Sequence, residues 1–158
     1  MKAYADTSFL VRLVTEELGS EAAMAEYRRL SFPPLFFLPL HALEVTNAVR
    51  QRALHLRRNA RSGERAAIAR ERDTALARLE RWVKRGWLVD VVADCEQALL
   101  RARTLSETHT ERLGCRAFDL LHVALALELG CEIFLTADRI QGALARAEGI
   151  DATISEEK

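Results

Sequence analysis

Short apolar runs alternate with helical patterns along this chain, and the alternation restricts the folds open to it. The continuous apolar run at 35–38 is typical of a strand buried on both faces of a parallel sheet. Elsewhere apolar residues recur at helical spacing, as in Phe9, Leu10, Leu13 and Val14. Strands that alternate with helices predict right-handed β-α units. We therefore expect an α/β fold with a central parallel sheet flanked by helices on both faces.

The same patterns predict where the elements lie. Glycines mark the ends of several helices, and Pro33-Pro34 interrupts the chain before the second strand. Strands are expected at 2–5, 35–38, 87–92, 131–135 and 152–154, and helices at 9–19, 20–30, 41–54, 61–85 and 117–129 and after Asp94 and Asp138.

Length and composition are those of one soluble domain, and we take 1–158 as a single unit. Hydrophobic residues make up 49% and charged residues 29% of the chain, which excludes a disordered or collagen-like protein. No apolar run approaches the ~18 residues of a membrane span, and no signal peptide is evident, so we expect a cytoplasmic protein without a membrane partner. The three cysteines lack C-x-x-C spacing, so a thiolate zinc site is not expected.

Four acidic residues fall where strands end or helices begin. Asp6 and Asp138 directly follow predicted strands, and Glu44 lies in the first turns of the helix after the second strand. Asp119 lies near the start of a helix that is otherwise apolar nearly all round. Because ligands of parallel sheets bind outside the carboxyl ends of the strands, we expect the four carboxylates to share one rim.

Clustered carboxylates repel one another, and a cation relieves the repulsion. Magnesium prefers hard oxygen ligands and retains waters beside a phosphate-bearing substrate, so it is the expected ion. The alternative is structural, since Asp6, Asp119 and Asp138 could cap helices and Glu44 could be a surface residue. Asp119 favours the metal site, because a carboxylate on an apolar helix is costly unless it is paired or metal-bound.

Three further residues are candidates for supporting roles. Asn47 lies one helical turn after Glu44 and could orient that carboxylate, or it could be a surface residue. His122, one turn after Asp119, could support the site or be an ordinary core histidine. Arg116 could meet a phosphate or pair with a nearby acid.

A basic segment separates the second acid from the third. Between Arg50 and Arg85 there are twelve Arg and Lys against four acids, an excess of +8 in a chain of zero net charge. Such asymmetry can mark a surface that faces phosphates, and Arg57, Arg58 and Arg61 are its candidate nucleic-acid contacts. A solvated helical hairpin is the alternative.

Four segments carry a resemblance to a known family. YADTSFL (4–10), ALEVTNAV (42–49), RAFDLLHVALAL (116–127) and FLTADR (134–139) resemble the four acidic motifs of PIN-domain ribonucleases. The likeness is closest to the VapC-type toxins of type II toxin–antitoxin pairs, and it covers nearly the whole chain in the expected order.

The resemblance implies a PIN fold, an RNA cut that depends on Mg²⁺ or Mn²⁺, a cognate antitoxin and a homodimer. It also implies that the four acids hold the metal and that polar residues line or support the site. These supporting residues are Thr7, Ser8, Asn47 and Thr136.

We therefore expect a metal-dependent endoribonuclease that is the toxin of a toxin–antitoxin pair. One alternative is a PIN module that binds RNA without cutting, although such a module has no need of four mutually repelling carboxylates. A structure-specific DNA nuclease of the same fold is the other alternative.

Overall fold

Five strands form one fully parallel sheet in the computed structural model, which describes residues 1–155. Their spatial order is β3-β2-β1-β4-β5. The strands are β1 (Ala3–Ala5), β2 (Leu35–Phe37), β3 (Leu88–Asp90), β4 (Ile133–Thr136) and β5 (Asp151–Ile154).

Helices connect consecutive strands, as the alternating pattern predicts. They are α1 (Thr7–Val14), α2 (Ser20–Arg29), α3 (Pro39–Asn59), α4 (Arg65–Lys84), α5 (Cys95–Leu113), α6 (Ala117–Glu128) and α7 (Arg139–Ala147), with a 3-10 turn at Ser62–Glu64. Among residues 1–155, none of the helices combines the length and apolar character needed to cross a bilayer.

The sheet separates two apolar cores. Ala3 and Ala5 of β1 face the first core, which also takes side chains from α1 to α4. Tyr4 faces the opposite way, into a second core built with α5, α6 and α7. This division follows from the two-residue period of a strand. The expected α/β fold, with helices on both faces of a parallel sheet, is confirmed.

Several element ends differ from the sequence-based bounds. α1 ends at Val14 rather than near Gly19, and the Thr15 hydroxyl donates back to the Val11 carbonyl at 2.7 Å. α3 is longer than expected, since Pro39 begins it and it continues to Asn59. Proline suits the first helical turn because the missing N–H has no partner there.

The strand order reverses between β1 and β4. From β1 the chain moves outward to β2 and β3, and it later returns to form β4 and β5 on the other side. A crevice opens at the carboxyl ends of strands where the order reverses. Asp6 directly follows β1 and Asp138 follows β4 by two residues, so the fold delivers both acids to this crevice.

Candidate active site

One cleft at the carboxyl edge of the sheet brings the four predicted acids together. Its volume is about 580 Å³. Asp6, Glu44, Asp119 and Asp138 all line it, and each comes from a different segment of the chain. Of the residues proposed to support them, Thr7, Ser8, Arg116 and His122 also line the cleft.

Asp6 forms the floor of the cleft and is fully buried. Its carboxylate caps α1, where Oδ1 accepts the Phe9 N–H at 2.9 Å. The Ser8 hydroxyl donates to Oδ1 at 2.7 Å, and the Thr136 hydroxyl donates to Oδ2 at 2.7 Å. Burial raises the pKa of Asp6, although these hydrogen bonds and nearby His122 oppose the shift. A buried carboxylate is thus fixed in one orientation by donors from the first turn of α1 and from the end of β4.

Glu44 approaches from α3 and accepts two side-chain hydrogen bonds on one oxygen. Thr7 Oγ1 donates to Oε2 at 2.7 Å, and His122 Nε2 lies 2.6 Å from the same atom. Burial acts to raise the pKa of Glu44, but the bonds from His122 and Thr7 outweigh it and the pKa is lowered. Among residues 1–155, no hydrogen bond reaches Oε1. This leaves an ionised carboxylate with one oxygen open to a ligand.

A buried tyrosine fixes the orientation of His122. Tyr4 Oη lies 2.8 Å from His122 Nδ1, on the side of the ring opposite Glu44. A carboxylate can only accept, so Nε2 carries a proton, and in the neutral ring Nδ1 is then the acceptor for the Tyr4 hydroxyl. Burial raises the pKa of Tyr4 well above its ordinary value, which keeps the hydroxyl protonated as a donor. The sequence places His122 one turn from Asp119, but its hydrogen bonds run to Tyr4 and Glu44.

Asp119 and Asp138 share the guanidinium of Arg116. Arg116 Nε donates to Asp119 Oδ2 at 3.1 Å, and Nη2 donates to Asp119 Oδ1 at 3.3 Å and to Asp138 Oδ2 at 3.4 Å. Asp138 also caps α7, where Oδ1 accepts the Ile140 N–H at 2.7 Å. Burial acts to raise the pKa of Asp119, but the bonds from Arg116 and Gln141 outweigh it and hold the pKa below its usual value.

Gln141 is a contact that the sequence did not reveal. Its Nε2 donates to Asp119 Oδ1 at 3.0 Å, and the side chain is buried in the cleft wall. Its Oε1 is also buried and has no hydrogen-bond partner among residues 1–155. The sequence carried one signal for this contact. Gln141 is a polar residue three positions after Asp138, on a helix whose apolar face packs inward.

Of the two alternatives for Asn47, the structure matches the surface position. Its side chain is exposed, and Ala48 lines the cleft instead. The reason is geometric, because each helical residue turns by about 100°. Ala48 returns closer than Asn47 to the direction of Glu44, and the bonds to that carboxylate come from Thr7 and His122.

The structure also locates Phe118 and the three candidate arginines. Phe118 belongs to the helix predicted to be apolar nearly all round, yet it is 55% exposed and lines the cleft beside Asp119. Arg57, Arg58 and Arg61 are exposed at the far end of α3 and just beyond it. At 1.5 Å per residue, Arg57 lies roughly 20 Å along the helix from Glu44.

The four acids fit a divalent metal ion by donor chemistry. They offer hard carboxylate oxygens on one cleft, which is the ligand type that magnesium and manganese prefer. As the side chains stand, no three His, Cys, Asp or Glu residues within 1–155 are gathered closely enough to hold an ion. The carboxylates are instead occupied by hydroxyl, imidazole and guanidinium donors. A metal ion could be held at this cleft only if these side chains first moved away from their present donors.

Comparisons with known proteins place the chain in a family. The model of the PIN domain matches residues 3–148. The structure is similar to that of PAE2754 from Pyrobaculum aerophilum, with a TM-score of 0.55, 18% identity, and coverage of 96% of this chain and 89% of that one. It is also similar to FitAcB from Neisseria gonorrhoeae, with a TM-score of 0.62, 14% identity, and coverage of 97% of each chain. A search of curated proteins found no match. The family match spans nearly the whole chain, and the chain therefore belongs to the PIN-domain family.

Proposed function

We propose that this protein is an endoribonuclease that cuts RNA phosphodiesters with Mg²⁺ or Mn²⁺ and acts in the cytoplasm as the toxin of a toxin–antitoxin pair. PIN domains are generally metal-dependent nucleases, which supports the reaction class. The observation that carries the proposal is the convergence of four carboxylates, from four segments, on one cleft at the edge of the sheet.

The residues that would hold the metal are Asp6, Glu44, Asp119 and Asp138. A bound ion would offset the charge of the phosphodiester and lower the pKa of a water molecule, so that hydroxide becomes available near neutral pH.

The chain's own residues contribute orientation. Thr7 and His122 hold Glu44 by Oε2, so its other oxygen is directed away from these donors. Ser8 and Thr136 hold Asp6 in the floor of the cleft. The Ser8 hydroxyl also accepts the Ala137 N–H at 2.9 Å, which ties the ends of β1 and β4 together beneath the site. Preorganised ligands of this kind reduce the rearrangement needed during reaction.

The proposed partners rest on different grounds. RNA as the substrate is supported by the basic segment between Arg50 and Arg85 and by the motif resemblance. A cognate antitoxin and a homodimer are supported by the motif resemblance alone.

The test is a cleavage assay on one single-stranded sequence prepared both as RNA and as DNA. RNA should be cut at internal positions with Mg²⁺ or Mn²⁺, the reaction should stop with excess EDTA, and fresh metal should restore it. Glu44→Gln should be inactive, because the metal loses a charged ligand while the shape is kept. Undiminished cutting in EDTA would exclude the metal mechanism, and cutting of DNA alone would identify a DNA nuclease.

A further inference from the structure

One guanidinium connects two of the four cleft acids. Arg116 contacts both oxygens of Asp119 and one oxygen of Asp138, at 3.1 to 3.4 Å. These carboxylates begin different helices, α6 and α7, so the contact spans the cleft wall. The positive charge of Arg116 offsets part of the repulsion between the two carboxylates. A metal ion bound to the same acids would have the same effect.

The guanidinium is exposed whereas Asp119 beneath it is buried. The Arg116 side chain is 76% exposed and that of Asp119 is 4% exposed. An exposed arginine can leave its partner at little cost, because solvent screens such pairs and the freed side chain regains rotamers. Departure of this side chain therefore uncovers the carboxylate without unfolding its surroundings.

Asp119 keeps other donors when the guanidinium leaves. The Arg116 backbone N–H donates to Oδ2 at 2.8 Å, and Gln141 Nε2 donates to Oδ1 at 3.0 Å. Neither bond depends on the Arg116 side chain. The carboxylate thus stays in place, with the lone pairs that faced Arg116 free for another cation.

We propose that the Arg116 guanidinium competes with the divalent metal for Asp119 and Asp138 and, once displaced, binds a phosphate of the RNA at the rim of the cleft. The proposal rests on the proposed function. The displaced side chain remains next to the acids, because its backbone is fixed as the cap of α6. The planar guanidinium can donate two parallel hydrogen bonds to the oxygens of a phosphate. An RNA phosphate is therefore a suitable partner for Arg116 once the metal has displaced it from the acids.

The exchange predicts opposite effects on two affinities. Arg116→Gln should bind Mn²⁺ about 3- to 10-fold more tightly in calorimetric titrations without RNA, because one competitor for the acids is gone. With the four acids intact and saturating Mg²⁺, the same substitution should weaken binding of single-stranded RNA by about 3- to 10-fold, as measured by rapid mixing before cleavage. The salt dependence of RNA binding should fall by about one phosphate contact.

Two control variants separate this exchange from general charge effects. Arg112→Gln removes the same charge four residues away, where the guanidinium bonds His109 rather than a cleft acid. It should change both affinities less than Arg116→Gln does. Arg116→Lys keeps the charge but loses the planar pair of donors, so its affinities should lie between those of the wild type and Arg116→Gln. Thermal melts should show all three variants folded.

Each other outcome contradicts a specific part of the proposal. Unchanged or weaker Mn²⁺ binding by Arg116→Gln would exclude competition, and unchanged RNA binding would exclude the phosphate contact. If Arg112→Gln changed the Mn²⁺ and RNA affinities as much as Arg116→Gln does, the effect would come from overall charge and not from the contacts of Arg116. If neither the wild type nor the variant binds Mn²⁺, the metal centre itself is wrong, whereas the cleavage assay tests the nuclease activity separately.

Discussion

At the scale of single residues, the acids of the cleft are held by donors that come from distant parts of the chain. Tyr4 and His122 are 118 positions apart, yet their 2.8 Å hydrogen bond sets the side of the imidazole that faces Glu44. Tyr4 itself lies in β1 and packs on Phe134 of β4, with ring centroids 5.4 Å apart. The orientation of Glu44 therefore depends on a side chain in the core of the sheet.

Removal of the Tyr4 hydroxyl should affect activity more than stability alone explains. Tyr4→Phe leaves His122 Nδ1 without its hydrogen-bond partner, so the ring can turn and Glu44 loses a fixed partner. We expect a loss of about 1–2 kcal/mol in the free energy of unfolding and a fall of roughly 10- to 100-fold in metal affinity or kcat. Urea unfolding and single-turnover cleavage measure the two effects.

Tyr27→Phe is the matched control for this variant. Tyr27 is also buried, and its hydroxyl donates to the Pro33 carbonyl at 2.9 Å, away from the cleft. It should lose similar stability but keep its kcat. Equal kcat in both variants would show that Tyr4 has only a packing role.

Asp6 offers a second prediction at this scale. Because the folded state raises the pKa of Asp6, its ionised form is less favourable than in the unfolded chain. The penalty grows as pH rises from the unfolded pKa to the folded pKa and is constant above the folded pKa. Without metal, Asp6→Asn should therefore melt at the same or a higher temperature, with a free energy of unfolding that is 0 to about 1 kcal/mol larger. Cutting of RNA by this variant should be abolished. A large loss of stability would show that the charged cap of α1 is the main role of Asp6.

At the scale of elements, the first turn of α3 contains a buried histidine. His41 Nδ1 accepts the Leu38 N–H at 3.0 Å, which caps the helix. Burial, with a smaller effect from nearby His122, lowers the pKa of His41 from 6.5 to about 3. The folded protein thus keeps His41 neutral at a pH where the unfolded chain is protonated.

This difference predicts acid sensitivity that one substitution should reduce. As pH falls below 6.5, the unfolded chain gains a proton at His41 that the fold takes up only near pH 3, so stability decreases across this window. The slope should reach up to about 1.4 kcal/mol per pH unit. His41→Gln keeps an acceptor for Leu38 without titrating, so urea unfolding at about pH 7 and pH 5 should show a smaller difference. If the difference in the free energy of unfolding between the two pH values were unchanged, groups other than His41 would cause the acid sensitivity.

The order of the elements was predictable because periodicity and glycine or proline breaks carry it. The four acids were predictable as candidates because each lies at a strand end or helix start, where a parallel sheet collects ligands. The contacts of Tyr4 and Gln141 were not predictable, since they join segments whose relative rotation depends on packing. The two alternatives for Asn47 could not be separated for the same reason, because a difference of one residue on α3 decides which side chain enters the cleft.

At the scale of the whole molecule, charge is unevenly spread. The segment from Arg50 to Arg85 carries an excess of +8, but part of it is paired. Arg52 contacts Glu17 and Glu71, and Arg78 contacts Glu16. The far end of α3 and the following loop keep exposed arginines, of which Arg57 lies roughly 20 Å along the helix from Glu44.

Reversal of Arg57, Arg58 and Arg61 to Glu tests whether this end steers RNA. RNA binding by the Asp6→Asn background should weaken roughly 10- to 100-fold for all sequences, and its salt slope should fall by up to about 2. Stability should change little, because the charges are exposed. The same reversal at Arg28, Arg101 and Arg103 controls for overall charge. An unchanged salt slope would mean that RNA binds elsewhere.

The central claim is that the four acids form one metal centre. Anomalous diffraction from crystals grown or soaked with Mn²⁺ tests it most directly, because the signal locates the ion without reference to activity. We predict a peak in the cleft, about 2.0–2.3 Å from oxygens of at least two of Asp6, Glu44, Asp119 and Asp138. Manganese bound only outside the cleft, with Arg116 still paired to Asp119 and Asp138, would contradict the claim.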